Sequence, residues 1–232
     1  MISFIVTYRD RSAQLADYIK MLDCFYNKNE YEVVISEQKN NGIFMQGQLF
    51  NLAYSFSRSD IIVLMDIDIR FTKPVDFYRH MRALNHPFMG YNKILNCTSD
   101  GTILEVRKHS NISHGGCCVF TRKQFEDSSG FSNLMFGWGG EDDIVNIRIG
   151  KYNRITNTLL HIEHPRRTNY SGYSGNVVMY RSDKQRKKEL DGFRQTKADL
   201  IKKTVTDNIV HLEFDNIGVV EDFMYKELLG GE

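Results

Sequence analysis

The sequence predicts an α/β fold, a Rossmann-like mixed sheet flanked by helices, and three observations carry that expectation. Apolar runs of strand length alternate with helically spaced apolar stretches from Ile2 to Met65. The run before Asp66 is almost wholly apolar, as in a strand buried in a sheet core. Clusters of carboxylates and other polar groups fall where those runs end, at Asp66-Ile-Asp68 and around Glu141, Asp142 and Asp143.

Each element has its own warrant. Ile2 to Tyr8 reads as a buried strand, and Ala13 to Phe25 as a helix with Leu15, Ile19, Leu22 and Phe25 on one face and Asp10 or Ser12 as its cap. Tyr31 to Ser36 is a second strand, Glu37 to Gly42 a polar loop, Gln46 to Ser57 a second helix, and Ile61 to Met65 a third strand. Such a βαβαβ start implies a parallel sheet with ligands at the strands' carboxyl ends. Further on, Val75 to Leu84, Lys123 to Asp127 and Asp142 to Ile149 read as helices, with strands at Gly115 to Thr121 and Thr158 to Ile162. Ser171 to Gly175 reads as a mobile loop, followed by a basic helix and a late strand from Ile209 to Phe214. With 3 prolines, no repeat and no linker, residues 1–232 form one domain.

Composition excludes several classes. A net charge of +1 and a pI near 7.7 give no basis for nucleic-acid binding. Nine Lys or Arg fall between Arg181 and Lys203, read as a solvated basic helix or, alternatively, a peripheral membrane contact. No apolar run approaches the roughly 20 residues that span a bilayer, and the chain opens on a strand pattern rather than an export signal, so a cytoplasmic protein is expected. Cys24, Cys97, Cys117 and Cys118 lack zinc spacing and read as reduced thiols.

Three clusters carry chemistry. Asp66 and Asp68 would share a face at the sheet's carboxyl edge, where two carboxylates need a cation or hydrogen-bond donors, or else are simply solvated acids. His161 and His164 could bind one ion together with that pair, or be ordinary surface histidines; carboxylate and imidazole ligands suit manganese or a similar ion. In Phe136-Gly-Trp-Gly-Gly-Glu-Asp-Asp143, glycines permit close backbone approach, Trp138 offers a flat face for a sugar, and crowded carboxylates can hold one member as a base. The bland alternative is a turn and an acid-rich helix start. Arg9 and Arg11 follow the first strand, where guanidinium groups can recognise phosphate or pair with a helix, and Phe44 can stack on a base or fill the core.

In their order, these pieces resemble the inverting, metal-dependent β-1,4-galactosyltransferase family and its N-acetylgalactosaminyltransferase relatives on the GT-A nucleotide-sugar fold. Tyr8-Arg-Asp-Arg11 is similar to the family's first-strand arginine motif, and Ile43-Phe44 through Leu49 and Asn51 to its base-binding loop. Asp66-Ile-Asp68 resembles its DVD, Gly115 and Gly116 its paired glycines, Gly137-Trp-Gly-Gly-Glu-Asp-Asp143 its most specific motif, and His161-Ile-Glu-His164 its metal-binding tail. The resemblance implies residues 1–110 as a nucleotide-binding half, 111–178 as an acceptor and metal half, and 179–232 as a helical extension with a late strand. It implies a UDP-sugar donor, a glycan acceptor, and Mn2+ or another divalent cation on Asp68, His161 and His164. Asp66 would touch ribose, Phe44 uracil, and Tyr8, Arg9 and Arg11 the nucleotide; Gly115, Gly116, Trp138, Gly139 and Gly140 would line the sugars. Asp142 would be the base, with Glu141 and Asp143 placing hydroxyls. Ser113, small and just before the paired glycines, would leave room for a 2-acetamido group. Two departures stand out: His161 occupies a position where animal members commonly have Met, and Gln46 one where they have arginine. The absent Golgi anchor leads to the expectation of a bacterial or viral enzyme. A metal-dependent hydrolase and a glycan-binding module are the competing readings.

Overall fold

The computed structural model describes residues 1–42, 44–79, 88–108, 116–133, 140–163, 196 and 198–217. Its centre is three strands in which every residue is buried: β1 (Ile2–Tyr8), β2 (Tyr31–Gln38) and β3 (Ile61–Met65). β1 lies between the other two and parallel to both, with Ile2 opposite Tyr31 on one side and Ile61 on the other.

Alternating side chains explain why the middle of each strand is apolar on consecutive residues. Phe4, Val6, Val33, Ile35, Val63 and Met65 pack on one face with Tyr18 and Leu22 of helix α1 (Ser12–Phe25). Ile5, Val34, Ile62 and Leu64 pack on the other with Leu49, Phe50 and Ala53 of helix α2 (Gln46–Tyr54). A sheet covered on both faces has no solvent side, so polar alternation disappears. The reversal of winding between β2 and β3 around β1 leaves a crevice at the carboxyl ends, where this class of sheet binds ligands.

The remaining strands are β4 (Ile69–Phe71), β5 (Phe88–Cys97), β6 (Ile103–Lys108), β7 (Cys117–Thr121), β8 (Asn153–Ile162), β9 (Asp199–Thr206) and β10 (Ile209–Asp215). One sheet runs in the order β4-β8-β5-β7-β3-β1-β2-β10-β9, with β6 on β5. Helix α3 (Arg122–Asp127) starts with a reciprocal cap, Thr121 Oγ1 accepting from Gln124 N at 3.1 Å and Gln124 Oε1 from Thr121 N at 2.8 Å. Helix α4 is Glu141–Ile149.

Several expectations need correction. The cap position of α1 is Arg11, and no side chain caps the helix: Asp10, at φ 53°, turns the chain out of β1, and Ser12 is already helical. α2 stops at Tyr54, because residues 55–57 tighten into turns whose amides bond three residues back. β4, β5, β6 and β9 were not foreseen. The expected basic helix is, over residues 199–206, the strand β9, which pairs antiparallel with β10. Lys202 reaches Glu213 at 3.2 Å and Lys203 lies 5.2 Å over the Phe56 ring. The described end of the supposed extension is therefore a hairpin joined to the main sheet, β10 lying parallel to β2. Residues 77–79 begin the expected Val75 to Leu84 helix; the rest of it and the loop at Ser171 to Gly175 lie outside the described residues. Cys97, Cys117 and Cys118 are buried, Cys24 is exposed, and none of the four is in a disulfide. No described helix is long and apolar enough to cross a membrane.

Candidate active site

Three sequence-distant segments meet at the carboxyl edge of β1 and β3. The first is the turn after β3. Asp66 N donates to Gly116 O at 2.8 Å and Ile69 N to Asp66 O at 3.0 Å, so the chain reverses sharply and sends Asp66 and Asp68 to one place. Arg70, buried, clamps this turn: its guanidinium donates to Ile67 O at 2.6 Å, to Ile69 O at 2.8 Å and to Gln14 O at 2.8 Å, tying the turn to α1. Sequence reasoning passed over Arg70, although an arginine in a short apolar strand just after paired acids was a readable signal.

Gly116 shows how tightly Asp66 is enclosed. Its φ is +69°, and a Cβ there would fall 2.6 Å from Asp66 Oδ2 and 3.2 Å from Ile69 Cγ1. Glycine is required twice over, for the left-handed backbone and for the space. Gln46 Nε2 donates to Asp66 Oδ1 in a short hydrogen bond, so the glutamine that stands out against the expected arginine is a direct partner of the acid pair.

The second segment is the start of α4. Gly140, at φ 92°, supplies its left-handed entry, and Glu141, Asp142 and Asp143 fill the first turn. Burial and the charge of Asp143 push Asp142 up to about 6; burial also raises Asp143. Asp66 is raised well above the usual carboxylate range, first by burial and then by Asp68, Asp142 and Glu141, against which Arg11 acts. That mutual influence brings the two acid clusters into one site. Asp66 and Asp142 each keep some accessible surface, but dense protein around them dominates their titration. Beneath them, burial and the same acids push the Cys118 thiol well up, which keeps it protonated and unreactive.

The third segment is β8. Asp68 is almost fully buried; Arg11 Nη1 lies 3.1 Å from its Oδ2 and His161 Nε2 lies 3.8 Å from the same oxygen. The pairing of Ile69 with His161 across β4 and β8 sets this approach, and Ile162 N donates to Asp68 O at 2.9 Å. A carboxylate and an imidazole so placed fit a manganese-class ion in donor type. Among the described residues no three His, Cys, Asp or Glu side chains gather as a metal site, and the third expected ligand, His164, lies outside them.

Beside this centre, Arg9 Nη1 donates to Gly42 O at 2.6 Å and its guanidinium lies 5.2 Å over the Phe44 ring. The expected base-binding loop is thus tied to the first-strand arginine motif. Tyr8 itself is buried, edge-on to His211 at 6.1 Å, and forms wall rather than open contact surface. Asn51 does not face the loop: its amide donates to Phe131 O at 3.0 Å and accepts from Phe131 N at 2.9 Å, anchoring the segment that leads toward α4. Gly115, Trp138 and Gly139, like Ser113, lie outside the described residues.

The family model described as "N-terminal domain of galactosyltransferase" matches residues 102–167. Mouse beta-1,4-galactosyltransferase 4 is 27% identical over 154 residues, covering 64% of this chain and 42% of that protein. The catalytic domain of Drosophila beta-1,4-galactosyltransferase 7, solved with xylobiose, superimposes with a TM-score of 0.68 at 18% identity, over 95% of this chain and 96% of that one. A mutant of that protein, solved with manganese, UDP-Gal and xylobiose, gives 0.62 at 17% identity over 96% and 97%. This chain spans about half the length of the curated relatives it matches.

The chain thus has the mixed α/β fold of these galactosyltransferase structures, with acids lining the carboxyl edge of its sheet. In sequence, the chain is similar to the galactosyltransferase family model over residues 102–167 and to beta-1,4-galactosyltransferases.

Proposed function

We propose that this chain is a metal-dependent inverting glycosyltransferase that moves galactose, N-acetylgalactosamine or glucose from a UDP-sugar to a hydroxyl of a glycan or glycoconjugate. One observation carries the reading above the others: Asp142, pushed up to about 6, shares a site with Asp66 and Asp68 at the sheet's ligand edge. A base with that affinity is ionised at neutral pH yet holds a proton far better than an exposed carboxylate. The manganese and UDP-Gal bound by the Drosophila structure support the donor and ion.

In this mechanism Asp142 takes the proton of the acceptor hydroxyl as its oxygen bonds to the anomeric carbon. The bond from that carbon to the UDP oxygen breaks on the opposite side, which inverts the centre. Arg9, over the Phe44 ring, and Arg11, beside Asp68, would face the nucleotide, and Phe44 would offer a ring to its base. Asp68 and His161, with His164 by resemblance, would hold a divalent cation, which supplies neutralisation of charge on the departing diphosphate. Assay of transfer from UDP-Gal, UDP-GalNAc and UDP-Glc to a panel of glycan acceptors, with and without manganese, tests the proposal. Rapid release of free sugar with no acceptor would favour a hydrolase, and binding without turnover a glycan-binding module. The small Ser113 leads to UDP-GalNAc being used at least as well as UDP-Gal; exclusive use of UDP-Gal or UDP-Glc in a mixed-donor reaction would reject that part.

A further inference from the structure

A polar row crosses three strands of the sheet beside Asp68. In register, Glu105 of β6 lies opposite Asn96 of β5, and Asn96 lies opposite His161 of β8. Residues paired across adjacent strands share a face, so the row is fixed by backbone pairing. Asn96 is buried, 4% exposed, in a strand that otherwise contributes Ile94 and Cys97 to the interior. A buried amide is costly unless its groups are bonded, and both of these are. Asn96 Nδ2 donates to Glu105 Oε2 at 3.0 Å, which sets the amide's orientation and turns its oxygen toward β8. That oxygen lies 3.1 Å from His161 Nδ1.

An amide oxygen can only accept, so Nδ1 must carry the hydrogen. In the neutral ring Nε2 is then the basic nitrogen, and Nε2 is the atom that faces Asp68 Oδ2 at 3.8 Å. We infer that Asn96, oriented by Glu105, is a positioning residue that holds His161 in the tautomer and ring orientation needed to offer Nε2, together with Asp68, to a divalent cation. The inference deepens the metal reading above and rests on it. Its physical content is preorganisation: a histidine whose far nitrogen is already bonded has one orientation to offer instead of several.

The test uses the full chain with two readouts. Proton–nitrogen correlation spectra of chain carrying nitrogen-labelled histidine, in EDTA at mildly alkaline pH, report the tautomer of His161, assigned by loss of its signal in His161→Gln. Titration of Mn2+ alone, followed by electron paramagnetic resonance without nucleotide or acceptor, reports affinity. The wild type is expected to show the hydrogen on Nδ1. Asn96→Leu should lose that preference and weaken Mn2+ binding by about tenfold to a hundredfold, the usual range for removing a partner of a ligating histidine. Asn96→Asp keeps an oxygen acceptor and should retain the tautomer. Glu105→Gln lies on the exposed strand β6, where folding is not at stake, and should shift both readouts in the direction of Asn96→Leu by a smaller amount. Unchanged tautomer and affinity in Asn96→Leu or, if that variant does not fold, in Glu105→Gln would overturn this inference alone. A wild type that takes up no Mn2+ would overturn it together with the metal reading.

Discussion

In the proposed mechanism, Asp142 is the residue on which most of the chemistry turns. Replacing it with asparagine keeps shape and removes the base, so donor binding should stay near wild type while transfer falls by about a hundredfold or more. If Glu141→Gln or Asp143→Asn gave that loss instead, the base would have to be reassigned within the turn. Since the folded carboxyl sits at about 6, kcat/KM of the wild type should fall with one proton as the pH drops below that value, and flatten in Asp142→Asn. The same shift has a stability consequence. A carboxyl that binds its proton more tightly folded than unfolded destabilises the fold as the pH rises from about 4 through about 6, and the loss is complete above that. Melting in EDTA should therefore show Asp142→Asn above wild type at about pH 7.5, with the difference gone near pH 4. At the neighbouring acid, Asp68→Ala should abolish most manganese-dependent UDP binding in titration calorimetry; wild-type affinity would place the ion elsewhere. That substitution also strips Arg11 and His161 of their shared carboxylate partner.

At the scale of elements, the turn after β3 and the strand β7 beside it work as a unit. Gly116→Ala must meet both a positive φ and the Asp66 carboxylate at 2.6 Å. We expect a cost of about 2–4 kcal/mol in urea denaturation, combining left-handed strain with overpacking, and a weakened UDP affinity as Asp66 is displaced. Gly101→Ala, at φ +88° in the β5–β6 turn with nothing within 4 Å, carries only the backbone strain and should cost about 1 kcal/mol without touching UDP binding. Equal costs at the two positions would contradict the close packing of Gly116. These elements differ in how far the sequence revealed them. β1, α1, β2 and β3 announce themselves, because strands buried on both faces carry apolar residues on both, as in Phe4-Ile-Val6, Val33-Val-Ile35 and Ile61 to Met65. β5 is not so written: Asn96 and Lys93 interrupt it, and their place in the sheet depends on partners in β6 and β8.

For the whole molecule, the sheet is closed at one end by the last described strands. Leu212 is fully buried and, with Val210 and Phe214, packs into the core shared by α2 and the inner strands. Leu212→Ala should cost about 2–5 kcal/mol, as large-to-small changes in a core do, and lower the melting temperature without changing Mn2+ affinity. A loss well under 1 kcal/mol would mean that the β9–β10 hairpin is an accessory rather than part of the core. Its position matters because β10 lies on β2, whose end leads into the loop held by Arg9.

The sequence by itself determined the parallel βαβαβ start and the edge at which the candidate site lies. It also showed the acids, the arginines and His161 that gather there, because hydrophobic period and motif order are local properties. Tertiary structure alone decided which atoms face one another. Gln46 on Asp66, Arg70 across the turn, Asn96 behind His161 and the basic tail as a strand on β10 all arise from pairings between segments far apart in the chain. A single hydrogen bond of that kind leaves no period and no spacing in the sequence; it appears only when strand register brings the two residues to the same row.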